Sequence, residues 1–187
     1  MGKVIFITGN QAKADFLAKY LGHEVEHRKL DLNEIQSLDQ HEITENKARQ
    51  AYEKLHVPVL VEDVSLTIKA MGKLPGPFIR WFEQELGHQG ICKLVDSFDD
   101  RTAIASVVYA YFDGESIKFF DGKLNGQIAK QPSRDDGFGW NSIFIPDGST
   151  KTSAEMDEKE TQRFSLRTTT VYPEIKKFLS NLDTGEA

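Results

Sequence analysis

The run Thr102–Phe112 (Thr-Ala-Ile-Ala-Ser-Val-Val-Tyr-Ala-Tyr-Phe) is apolar on both of its alternating faces. Successive side chains of a strand point to opposite faces, so this stretch is buried only as a central strand whose sheet is covered on both sides. Asp113-Gly114 then opens a tight connection into a second strand at residues 116–120, which predicts an antiparallel hairpin. Strands elsewhere alternate with helical patterns, so a hairpin in the middle predicts an α/β fold with a mixed twisted sheet flanked by helices.

Residues 3–8 are a β-branched and aromatic run ending at Gly9-Asn10, read as a first strand entering a turn. The pairs Phe16/Leu17 and Tyr20/Leu21 predict a helix over Gln11–Leu21, closed by Gly22. A weaker strand is expected near residues 24–29. A second helix is expected over residues 41–55, with Ile43, Ala51 and Leu55 on one stripe and a Glu45/Arg49 ion pair. Residues 57–61 read as an apolar strand ending at Glu62-Asp63. Pro75 and Pro77 then bracket a glycine and break regular structure, before a helix at 78–86. A polar loop at 130–137 and a strand at 142–145 follow. Thr152 and Glu155 have capping-box spacing, and a last helix carries Val171, Ile175, Phe178 and Leu179. Residues 1–187 are read as one domain of two lobes, with a frayed tail over 181–187.

The 187 residues carry 23 basic and 29 acidic side chains, a net charge of −6. A duplex-binding protein presents a basic face, so a nucleic acid polymer is disfavoured as partner. No apolar run reaches the roughly 18 residues of a membrane helix, so no membrane partner is expected. The single cysteine, Cys92, suits a reducing compartment and a cytoplasmic location.

Several residues have chemical potential. Thr8, Gly9, Asn10, Gln11, Ala12 and Lys13 lie where a strand becomes a helix, and exposed N–H groups there favour anions. Ordinary turn and capping roles explain Thr8 and Asn10 equally well. Lys13 in the first turn opposes the helix dipole, which calls for a reason such as a bound anion. Glu62-Asp63 at a strand end can bind a divalent cation or activate a water, because hard cations prefer oxygen. Glu34 alone reads as solvated loop, Lys47 as a snorkelling side chain on an apolar stripe, and Arg80 as a surface helix residue. Phe138, Gly139, Trp140 and Asn141 combine two rings with a glycine that admits a flat ligand, although such rings are more often core anchors. Arg167 is a candidate donor to a base carbonyl or a phosphate. The five histidines lack zinc-ligand spacing, and no Walker A, dinucleotide or nucleophile-elbow motif is present.

In order and spacing, Thr8-Gly9-Asn10-x-x-Lys13, Leu60-Val61-Glu62-Asp63, Leu74-Pro75-Gly76-Pro77, Phe138-Gly139-Trp140 and Thr152-Ser153-Ala154-Glu155-Met156 resemble the inosine triphosphate pyrophosphatase family over nearly the whole chain. The resemblance implies an elongated α/β fold with a deep cleft between two lobes, and a homodimer. It also implies Mg²⁺-dependent hydrolysis of non-canonical purine nucleoside triphosphates (ITP, dITP, XTP) to monophosphate and pyrophosphate. On that likeness Thr8 to Lys13, Lys47 and Arg80 hold the triphosphate. Glu34 and Asp63 bind Mg²⁺, and Asp63 also takes the proton of the attacking water. Val64 contacts substrate through its backbone, and Phe138 to Asn141 with Arg167 surround the base.

The departures lie in base recognition. Asn141 stands where the family usually has Asp, Leu166 where it has His, and Thr161 where it has Lys, with Lys159 and Arg163 nearby. Two other readings therefore stay open: a nucleoside triphosphate pyrophosphatase of altered base selectivity, and a non-catalytic nucleotide-binding protein.

Overall fold

In the computed structural model, which describes residues 4–22, 24–134 and 138–184, β5 (Thr102–Phe112) has the bounds its sequence predicts, and every residue from Ala105 to Phe112 is buried. The other elements are β1 (Ile5–Ile7), α1 (Gln11–Leu21), β2 (His27–Arg28), α2 (Gln40–Leu55), β3 (Val59–Ile68), β4 (Pro75–Gly76), α3 (Ile79–Val95), β6 (Ile117–Ile128), β7 (Phe144–Pro146), α4 (Glu158–Phe164) and α5 (Tyr172–Thr184). The sheet is mixed, as expected. β1 is parallel to β2 and β3, whereas β4 pairs antiparallel with β3 and β7 antiparallel with β6.

Two compact units divide the chain. The first comprises Met1–Asp63, Val107–Gly122 and Thr170–Ala187, and the second Val64–Ser106 and Lys123–Thr169. In the first, Ile5, Ile7, Val59, Val61, Ala110 and Phe112 pack with Ala48 and Ala51 of α2. Alanine at those two positions lets the helix backbone approach the strands closely, and a longer side chain there would overpack the layer. On the same unit Tyr172 of α5 is wholly buried, its ring 6.0 Å from Tyr109 and 5.3 Å from Tyr20. In the second unit Leu66, Ile68, Ile79, Ile91, Ala103, Ile128 and Phe144 form the core.

Caps set the helix ends. Asn10 Oδ1 accepts from the backbone N of Lys13 at 3.3 Å to begin α1, and Asp39 Oδ1 accepts from His41 N at 2.9 Å to begin α2. The predicted capping box is present: Thr152 N donates to Glu155 Oε2 at 2.8 Å, at a single 3₁₀ turn, Ser153–Glu155. The Glu45–Arg49 pair also forms, at 2.6 Å.

Several elements differ from expectation. Pro75–Gly76 do not break regular structure but pair with β3 as β4, and Val171 lies in the turn just before α5. β3 does not stop at Glu62-Asp63 but runs on to Ile68, because Ser65, Leu66 and Ile68 continue its burial. α3 extends beyond Leu86 to Val95: Gly87 breaks the helix (φ 63°, ψ 172°), and Ile91, Cys92 and Val95 bury the segment after it. β6 continues past the expected end at Phe120 to Ile128, through Gly122 and Gly126. A Cβ at Gly122 would collide with Thr170, and one at Gly126 with the Ile145 carbonyl and Phe144 ring, so both mark close approach inside a strand. Residues 139–142 are a 3₁₀ turn, which shifts the following strand to Phe144–Pro146. α5 persists to Thr184, past the point where a frayed tail was expected. The starting residue expected for β1, Lys3, the end of the loop at 135–137, and the tail at 185–187 lie outside the described residues.

Candidate active site

In the first unit the strand order is β2-β1-β3, with α1 joining β1 to β2 and α2 joining β2 to β3. α1 takes the chain from β1 to the neighbour on one side and α2 carries it back past β1 to the neighbour on the other, so β1 and β3 flank a point of the kind where open α/β sheets take ligands. Ile5 lies opposite Val59 and Phe6 opposite Leu60, and continuing that register sets Thr8 level with Glu62. Glu62 and Asp63 are thus mid-strand residues of β3. The strand end beside them is that of β1, which stops at Ile7 and releases the Thr8–Lys13 turn.

Within that turn Thr8 Oγ1 accepts from Asn10 N at 3.1 Å, and Gln11 Nε2 donates to Asp15 Oδ1 at 2.7 Å. Gly9, Asn10, Gln11 and Ala12 are exposed, and a Cβ at Gly9 would lie 3.2 Å from the Lys29 stem. Lys29 thus joins the turn as a cation that spacing gave no reason to single out. Lys13 forms an ion pair with the buried carboxylate of Glu62. Its position against the helix dipole has a partner within the protein.

Asp63 sits in a denser set. Gln40 Nε2 donates to Asp63 O at 3.1 Å and to its Oδ2 at 3.2 Å. Lys47 Nζ lies 3.9 Å from Asp63 Oδ1, donates to Glu62 O at 3.0 Å and reaches Glu34 Oε1 at 3.3 Å. With only 16% of its side chain exposed, Lys47 does not snorkel to water; it is anchored among carboxylates. Glu34 is 61% exposed and brings its carboxylate in from solvent. Burial pushes the Asp63 carboxyl up to about 6; Lys47 and the Gln40 hydrogen bond oppose this, while Glu34 and Glu62 add to it. A carboxyl near 6 is matched to taking a proton close to neutral pH.

Glu34 and Asp63 offer hard oxygen donors, which suit Mg²⁺ or Ca²⁺ over softer ions. Among the described residues no group of three or more His, Cys, Asp or Glu forms a closed metal cage. Two carboxylates with open positions instead fit an ion that keeps waters and shares its shell with phosphate oxygens.

The remaining candidates belong to the second unit. Val64 follows Asp63 in β3 and is half-buried, and Arg80 is exposed in the first turn of α3. Phe138 is 37% exposed, with the Arg167 guanidinium carbon 6.0 Å from its ring centroid. Trp140 packs against the core, so its ring serves partly as an anchor. Asn141 N donates to Phe138 O at 3.2 Å, closing the turn. Leu166 also packs on the core. Thr161 is exposed on α4, and Lys159 and Arg163 border a surface depression with Lys151, Glu160 and Phe164.

Besides Lys29, sequence reasoning missed Gln40. It is one polar residue after a helix cap, and only the fold brings it 23 positions forward to Asp63.

The model described as the Ham1 family matches residues 4–173. The chain is 44% identical to inosine triphosphate pyrophosphatase 2 of Trypanosoma cruzi over 169 residues, covering 88% of this chain and 86% of that one. It is 39% identical to inosine triphosphate pyrophosphatase of Yarrowia lipolytica, with coverage of 88% and 89%. Among solved structures, a HAM1 protein from Coxiella burnetii superposes with a TM-score of 0.84 at 23% identity, covering 97% of this chain and 100% of that one.

Proposed function

The chain belongs to the Ham1 family, and from that premise we propose that it hydrolyses ITP, dITP and XTP to the nucleoside monophosphate and pyrophosphate, removing deaminated purines from the nucleotide pool. The observation that carries this reading is the half-buried Asp63, held near 6 and flanked by Lys47, Glu34 and Gln40. Relatives named inosine triphosphate pyrophosphatase support the substrate class.

In this mechanism water attacks the α-phosphorus and passes its proton to an Asp63 oxygen, while the bond to the pyrophosphate leaving group breaks. Gln40 orients Asp63 by bonding both its carboxylate and its carbonyl. Lys47 and Lys13 offset negative charge that grows on the leaving group, and the exposed turn from Thr8 to Ala12 offers its backbone N–H groups to phosphate oxygens. Mg²⁺, held through Glu34 and Asp63, would supply charge neutralisation at the phosphates and a more acidic water. Arg80 is assigned to the phosphates, the Val64 backbone to substrate, and Phe138 to Asn141 with Arg167 to the base.

Core-packed Leu166 and uncharged Asn141 favour a second reading of the same chemistry, with base selectivity moved away from ITP and XTP. A homodimer belongs to the proposal and is read by mass in solution. No helix among the described residues is long and apolar enough to cross a membrane; a cytoplasmic location, where nucleotides accumulate, is proposed.

The test is pyrophosphate release with Mg²⁺ from ITP, XTP, dITP, GTP, ATP, UTP and CTP, with Asp63→Asn as control. Preference for ITP, dITP and XTP, lost by at least about 100-fold in the control, supports the main reading. A different preference selects the second. Binding of triphosphate with no release overturns both.

A further inference from the structure

We propose that Glu83 is a specificity-determining carboxylate of the Phe138–Asn141 turn, aligned by His88 and Ser142. The proposal rests on the nucleotide-hydrolase reading and names a residue for its base selectivity.

Ser142 is the last residue of the 3₁₀ turn at 139–142 and is completely buried. Its Oγ lies 2.7 Å from His88 Nδ1, and the other ring nitrogen, Nε2, lies 3.3 Å from Glu83 Oε1. A neutral imidazole with its proton on Nε2 uses both nitrogens here, donating to Glu83 and accepting from Ser142. Residues five apart on an unbroken helix point about 140° away from each other, so Glu83 and His88 would not meet. The break at Gly87 between them is what folds the imidazole back onto the carboxylate.

Glu83 meets the turn at Gly139. That residue has φ 49°, and a Cβ there would stand 4.0 Å from Glu83 Oε1, so the carboxylate abuts the one position in the turn without a side chain. The Glu83 side chain is 19% exposed, and its second oxygen, Oε2, makes no hydrogen bond or ion pair among the described residues. Burial raises the Glu83 carboxyl, and the His88 hydrogen bond counters that rise by favouring the ionised form. The turn's own polar residue, Asn141, carries no charge. Glu83 therefore provides a negative acceptor beside a flat, aromatic-lined turn.

A carboxylate accepts from the N1–H of a 6-oxopurine such as hypoxanthine, xanthine or guanine. It repels adenine, whose N1 presents a lone pair. The assigned effect is discrimination of 6-oxopurines from 6-aminopurines.

The experiment compares kcat and KM for ITP and ATP in the wild type and Glu83→Gln. This variant keeps the size of the side chain and an oxygen for His88 while removing the charge. The ITP-to-ATP ratio of kcat/KM is expected to fall about tenfold or more, through KM for ITP with kcat little changed. An unchanged ratio overturns the proposal. His88→Gln, which can still donate to Glu83, should keep most of the ratio, and His88→Leu should lose it; equal ratios in the two overturn the aligning role. Equilibrium binding of ITP and ATP to Asp63→Asn, with and without Glu83→Gln, reads the same selectivity without turnover. If the wild type hydrolyses no triphosphate, the function proposed above fails, and this binding ratio alone supports or overturns Glu83.

Discussion

Asp63→Asn should stabilise the protein while abolishing its activity. The Asp63 carboxyl ordinarily titrates at 3.8 and is held at about 6 in the folded state, with 14% of its side chain exposed. The folded state therefore binds its proton more tightly than the unfolded chain does. The resulting stabilisation is complete below pH ~4 and is lost as pH rises through about 6. The gap between 3.8 and about 6 corresponds to about 3 kcal/mol at full effect. Asparagine keeps an oxygen for Gln40 and never ionises, so the variant escapes this loss. Urea unfolding in chelator at pH 4 and pH 8 measures it: the variant should gain roughly 2–3 kcal/mol over the wild type on going to pH 8. Every other titrating group is common to both proteins and cancels to first order. Millimolar Mg²⁺ should then narrow the gap at pH 8, because an ion that binds the folded carboxylates stabilises only the wild type. A variant that gains nothing between pH 4 and pH 8 in chelator would refute the reasoning, since Asp63 would then carry no burial penalty.

Gly114 has φ 103°, and a Cβ there would run into the Tyr52 ring, so Gly114→Ala should lower stability by about 1–3 kcal/mol in urea unfolding. No change in the unfolding midpoint would mean that Tyr52 yields freely. His56 closes α2 in the left-handed region (φ 53°), so His56→Gly should raise stability by about 0.5–1 kcal/mol, less the edge contact its ring makes with Tyr52. A loss of stability in the same assay would show that the ring contact outweighs the backbone relief.

Helix caps and doubly buried strands were legible because they are local. Asn10, Gly22 and the full length of β5 follow from neighbouring residues, and α1 has its predicted bounds. The full length of β6 has its reasons at a distance: Thr170 crowds Gly122 and Phe144 crowds Gly126, which no neighbouring residue announces. In the site, Asp63 was legible as a carboxylate at a strand end, whereas Glu34 and Lys47 were visible only through motif order. Lys47 illustrates why: on its helix it occupies an apolar stripe, and only β3 and the 31–34 loop surround it with carboxyl and carbonyl oxygens. Gln40 carries no local signal for Asp63, which lies 23 positions away, and Glu83 none for the turn at Gly139, 56 positions away.

The first unit is assembled from three stretches of chain, and the last of them carries Val171, Tyr172 and Ile175, all completely buried. On the ribosome, α1, α2 and the β1–β3 strands emerge more than a hundred residues before these side chains do. Until then Tyr109 has no ring from α5 against it, and Phe16 and Tyr20 lack the face they pack on. The nascent polypeptide must hold an apolar surface open for most of its synthesis, a task usually shared with chaperones. Cutting the coding sequence just before residue 170 would leave Asp63 and Lys47 in place but remove the wall behind their sheet. Damage at that distance from the acid–base chemistry would register as lost soluble yield, ahead of any change in specificity.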